Sequence, residues 1–195
     1  MKSNICQIDK GNKDLEIIFK EAEKVADYNG LTHKQALQLR LLCEEIDGML
    51  PNIVDDFEGQ LWIDFENGIC KINVSIQIPK LDSDKKNELI DIAMNKKNAS
   101  AVGIVGKIRS VVENFFLDED VFRAYSVSSD SYNLSGVLDY SSYWSLTQYK
   151  ETVKTDNNEV AWDELEKSVI SSLADDVIVG VKGKKIDIVV VKKFA

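Results

Sequence analysis

Histidine is almost missing from this chain. His33 is the single one among 195 residues. Any Ser-His-Asp arrangement would have to use it, yet it falls in the first turn of an expected helix, where a side chain faces solvent. Cysteine is sparse and scattered. Cys6, Cys43 and Cys70 form no CxxC pair and no Cys/His cluster, which excludes the spacing of a structural zinc site. Cys43 lies on an apolar helix face and Cys70 on an apolar strand face, so both read as small buried thiols. No apolar run approaches the roughly 20 residues that span a bilayer. The segment Met1-Lys2-Ser3-Asn4-Ile5-Cys6 lacks the apolar core of a signal peptide. The expectation is a cytoplasmic protein without a membrane partner. Basic excess is missing too. A net charge of −9 and a pI near 4.7 argue against a nucleic-acid partner, because phosphate binding needs clustered Lys and Arg. The Lys pairs at 85–86, 96–97, 184–185 and 192–193 lie among acids, as on solvated faces.

Hydrophobic residues make up 44% and charged residues 29%, a globular balance that fits one domain over 1–195. Leu15, Ile18, Phe19, Ala22 and Ala26 recur at helical spacing over 14–29, and Gly30 follows as a stop. Thr32-His33-Lys34-Gln35 has the form of a capping box. It opens a second helix with the stripe Leu39, Leu42, Cys43, Ile46, Leu50 and Ile53. Pro51 disfavours helical geometry at Leu50, so the helix is expected to end or kink there.

Leu61, Ile63 and Phe65 then alternate with Trp62, Asp64 and Glu66. Asn67-Gly68 supplies the positive φ values of a tight hairpin turn. Cys70, Ile72, Val74, Ile76 and Ile78 continue the alternation up to Pro79, which implies a sheet dry on one side only. Helices are expected over 83–94 and 101–116, the latter burying Val105, Ile108, Val112 and Phe115. Residues 118–160 read as an irregular insert rich in Ser and Tyr, with a short helix over 143–153. The aromatic cluster of Trp144, Tyr140, Tyr143 and Tyr149 fits either a partner-binding patch or an anchor to the core. A helix over 162–174 should bury Trp162, Leu165, Val169 and Leu173. A second hairpin, 176–181 with 185–194 around Lys182-Gly183-Lys184, closes the chain. The fold class is α/β (α+β): a two-layer sandwich with a mostly antiparallel, mixed sheet and helices on one face.

Within Leu39-Arg40-Leu41-Leu42-Cys43-Glu44-Glu45-Ile46-Asp47-Gly48-Met49-Leu50, the residues Leu41, Glu45 and Met49 form an i, i+4 row beside the core stripe. This helix feeding a hairpin resembles the ATP-binding domain of sensor histidine kinases, anti-sigma-factor serine kinases, Hsp90-type chaperones and MutL-type ATPases. The resemblance spans 14–116 and 160–195, and is nearest to the anti-sigma-factor kinases. It implies a catalytic acid at Glu45, polarising the attacking group. Met49 stands where the family has its magnesium-holding Asn, and a thioether is a poor ligand for that hard ion. The family's Asp-x-Gly-x-Gly would fall at Asp82, without its glycines. Asp82 fits either an adenine contact or a helix cap. Ala101-Val102-Gly103-Ile104-Val105-Gly106-Lys107 stands where the family has its lid and phosphate-facing helix. Gly103, Gly106 and Lys107 fit either an anion site or close helix packing. No P-loop spacing is present.

The resemblance therefore implies a catalytically degenerate ATPase- or kinase-like regulator of bacterial type. It would act through a protein partner, as a possible homodimer, with ATP bound weakly or not at all and magnesium doubtful. An active ATP-dependent serine or histidine protein kinase is the alternative reading, and a scaffold that binds no nucleotide is the third.

Overall fold

Alternation builds the centre of the molecule. In β2 (Glu58–Glu66), Leu61, Ile63 and Phe65 are buried between half-buried Trp62 and Asp64. In β3 (Ile69–Gln77), Cys70, Ile72, Val74 and Ile76 are buried on the matching face. A period of two places each set on one side of a pleated strand. Asn67 and Gly68 join the strands with φ of 51° and 77°, a turn whose twist matches that of the strands. A Cβ added at Gly68 would also meet the Phe194 carbonyl oxygen at 2.9 Å.

The computed structural model of the chain describes residues 1–10, 15–54, 56–78, 103–117, 143–182 and 185–194, with side chains undescribed for 113–117. Four further strands complete the sheet: β1 (Cys6–Asp9), β4 (Tyr143–Ser145), β5 (Asp176–Lys182) and β6 (Lys185–Lys193). The order is β1-β2-β3-β6-β5-β4. All pairings among these strands are antiparallel, so the expected mixed character is absent from the described sheet. The two hairpins share one sheet because β3 pairs with β6 along its whole length, Ile72 opposite Val190 and Val74 opposite Ile188.

The helices are α1 (Leu15–Tyr28), α2 (His33–Ile53), α3 (Gly103–Leu117), α4 (Leu146–Thr155), α5 (Glu159–Lys167) and α6 (Val169–Leu173). One contiguous core joins them to the sheet. It takes Ile18, Ala22 and Val25 from α1, Leu39, Leu42, Cys43, Ile46, Met49 and Leu50 from α2, and Ile104, Ile108 and Val112 from α3. From the central strands it takes Ile63, Ile72, Val74, Val177, Val179, Ile186, Ile188 and Val190. The architecture is a two-layer α/β sandwich.

Several expectations are corrected. α2 continues through Pro51 to Ile53. A proline so close to a helix end removes one intrahelical hydrogen bond without stopping the last turn. The helix expected over 162–174 is two helices. At the break, the Ser168 N–H donates to the Leu165 carbonyl and its hydroxyl caps α6 by accepting from the Ser171 N–H at 3.2 Å. The short helix expected over 143–153 is present as α4, with β4 taking its first three residues, and α5 begins inside the stretch read as irregular. β1 and β4 are too short for alternation to reveal. The second sheet face is open at the exposed ends of β2, but Asn73, Ile178, Asp187 and Val189 are buried there. These positions occupy the central strands, which have neighbours on both sides. Residues 83–94, Tyr140 and most of the Ser- and Tyr-rich stretch lie outside the described residues, as does the Phe115 side chain.

Candidate functional site

α2 is fixed at its start by its own sequence. The Thr32 hydroxyl accepts from the Gln35 N–H at 3.4 Å, and the Gln35 side chain accepts from the Thr32 N–H at 2.8 Å. This reciprocal cap satisfies two donors that a helix start leaves free. The stripe Leu39, Leu42, Cys43, Ile46, Leu50 and Ile53 is buried as its spacing requires. The row Leu41, Glu45, Met49 behaves differently along its length. Leu41 is exposed, Glu45 is half-buried, and Met49 is 3% exposed and part of the core. Four residues turn a helix by about 400°, so each step of such a row advances about 40° around the axis. Over two steps the row rolls from solvent into the interior.

The end of α2 is crossed by α3. Arg109 Nη1 donates to the Asn52 carbonyl at 3.4 Å, and Asn52 Nδ2 folds back onto the Gly48 carbonyl at 3.1 Å. The backbone carbonyls of Asn52 and Gly48 thus accept within the helix packing, and Met49 itself offers a thioether inside an apolar core. That donor set does not fit a magnesium ion, which requires several oxygen ligands. Among the described residues no group of His, Cys, Asp and Glu is arranged to hold a metal ion.

The other residues singled out from the sequence face elsewhere. Gly103 opens α3 at φ 76°, and a Cβ placed on it would lie 3.8 Å from Glu164 Oε2 of α5. A carboxylate of the chain itself therefore borders the end of α3 whose dipole favours negative charge. Gly106 is half-buried. Lys107 sets its ammonium over the Tyr149 ring, 5.2 Å from the centroid, a cation–π contact. Tyr149 in turn lies 5.9 Å from Trp144, ring to ring, and both pack against the core. Burial pushes the Tyr149 hydroxyl pKa above its ordinary value. For these two aromatics the anchoring role holds. Asp82 lies outside the described residues.

The structure thus joins Gly103 and Lys107 to α5 and α4, and joins the end of α2 to α3 through Arg109 and Asn52. Sequence spacing missed Glu164, Tyr149 and Arg109 as neighbours, because each comes from a separate helix. It correctly read the cysteines: all three are free and buried. Desolvation drives the Cys43 thiol pKa far upward and that of Cys70 up to about 12. His33 is exposed. No described helix is long and apolar enough to cross a membrane. Comparison with protein-family models, with curated proteins and with solved structures finds no match.

Proposed function

We propose that this chain is a catalytically degenerate, histidine-kinase-type ATPase-like domain that regulates through protein–protein contacts. The observation that carries this reading is the split fate of one helix row. Glu45 remains at the border of the core, as an acid in a site must. One turn on, Met49 is buried among apolar side chains. Phosphoryl transfer in this class relies on a metal to neutralise phosphate charge, and Met49 supplies no oxygen for it. The order of α1, α2, the β2–β3 hairpin, α3 and the β5–β6 hairpin supports the resemblance on which the assignment of Glu45 rests.

The test is incubation of the purified chain with radiolabelled ATP and magnesium, beside Glu45→Ala. The expected result is neither hydrolysis nor autophosphorylation above that control. Robust turnover lost in Glu45→Ala would replace this reading with an active kinase. Calorimetric titration with ATP and ADP separates the remaining possibilities. Weak heat insensitive to magnesium fits a degenerate site, whereas no heat at all fits a scaffold.

A further inference from the structure

α4 and α5 form a helical hairpin whose outer side is not absorbed by the core. The turn is Asp156-Asn157-Asn158. Asn157 takes φ 49°, and the Asn158 side chain caps α5 by accepting from the Ala161 N–H at 3.1 Å. Around this turn runs a groove of about 350 Å³, lined by Val153, Lys154, Asn157, Asn158, Glu159, Trp162 and Asp163. Trp162, on the groove wall, is 39% exposed, and Val160 of the same helix is 75% exposed. The Trp162 indole N–H is held by Glu166 Oε1 at 2.8 Å. Its one donor is satisfied, and the exposed remainder of the ring is apolar. A half-exposed indole with its polar edge already bonded is the kind of anchor that dominates protein interfaces.

Charge selects the occupant. α5 carries Glu159, Asp163, Glu164 and Glu166 against Lys167 alone, and Asp156 adds to them at the turn. Glu159 and Asp163, on the groove wall, are exposed, and among the described residues neither is held in an ion pair. Among the described residues, Lys154 is the only basic one on the wall. We propose that this groove docks a basic segment of a partner protein, with one apolar side chain of that segment seated against Trp162 and its cations set against Glu159 and Asp163. The inference rests on the reading of the chain as a protein-contact regulator and names the surface it would use. Complementary charge would speed encounter and fix orientation, while Trp162 would supply the buried contact.

A synthetic amphipathic helical peptide of Lys and Leu is the probe, titrated without nucleotide into the isotopically labelled full chain and followed by NMR. Saturable shifts of the Trp162 indole and of backbone amides over 153–163 are expected. Trp162→Ala should weaken binding about tenfold, and so should the pair Glu159→Lys with Asp163→Lys. Reversal of two exposed acids elsewhere, Glu44→Lys with Glu58→Lys, should leave affinity unchanged. An unaltered amide spectrum establishes that each variant is folded, and the charge pair keeps the test open if Trp162→Ala is not. Absence of saturable binding would overturn the proposal. So would shifts spread over the acidic surface, or equal weakening by the control pair, which mark general attraction of a polycation. ATP turnover in the earlier assay would sink the degenerate-site reading while leaving this result standing, so the two fail separately.

Discussion

Met49 shows how far a single side chain carries the functional argument. Its position in the core means that an Asn placed there would bury an amide in place of a thioether. Burial of a polar group without a partner, added to the lost apolar contact, should cost about 2–5 kcal/mol. Urea denaturation of Met49→Asn should therefore show a lowered midpoint and no stabilisation by magnesium; a midpoint raised by the metal would show that the residue reaches a site. Glu21 is the contrasting case, a buried carboxylate that is fully used. It accepts from Lys24 Nζ at 2.6 Å and from the backbone and side-chain amides of Asn4 at 2.9 and 3.1 Å. The bond from Lys24, with those from Asn4, holds its pKa below the ordinary value despite burial. Because the folded-state value lies below the unfolded one, near 4.3, this stabilisation is fully present above about pH 4.3 and fades as pH falls through the folded-state value. Glu21→Gln should lose stability at neutral pH and show a shallower acid limb than the parent, as read by denaturation at a series of pH values. An unchanged limb would mean that Glu21 is not a source of the acid sensitivity.

At the scale of elements, the β2–β3 ladder sets the tightest steric demand. Gly59 lies opposite Ile76. A Cβ there would meet the Ser75 carbonyl oxygen at 2.5 Å and Ile76 Cγ2 at 2.6 Å. The oxygen belongs to the paired backbone and cannot swing aside. Gly59→Ala should cost roughly 1–3 kcal/mol, and thermal melting that shows no loss would mean the ladder yields more easily than its geometry implies. The core face of α2 makes a parallel claim. Leu42 is fully buried, so Leu42→Ala should cost roughly 2–5 kcal/mol. A negligible loss on denaturation would put the helix face in the wrong place. The capping box and the Asn-Gly turn were legible in advance because both are local: their partners lie within a few residues. The break between α5 and α6 was not. A serine between two apolar stretches is compatible with a continuous helix, and the bend is selected by packing.

On the scale of the whole molecule, one core runs from β1 through the central strands to α6, and the three thiols lie within it. Burial keeps them protonated, and the protonated thiol is a poor nucleophile. In the folded chain at neutral pH all three should resist thiol reagents. Denaturant should release them together in one transition that coincides with loss of circular dichroism. Release of one thiol ahead of the others would show that the core divides into separately unfolding parts.

The sequence by itself determined the alternating strands, the capped α2 with its apolar stripe, and the buried cysteines. These follow from periodicity and from contacts near in the chain, which physical chemistry reads without a fold. It also named Glu45 and Met49 as one row, since spacing along a helix is fixed by its pitch. Tertiary structure alone decided how that row is divided between surface and core. It decided that Lys107 stacks on Tyr149 and that Glu164 borders Gly103, because these side chains arrive from different helices. It also left Trp162 in solvent rather than in the core. Periodicity marks a side chain as able to be buried; only the neighbouring elements determine whether any apolar surface is there to cover it.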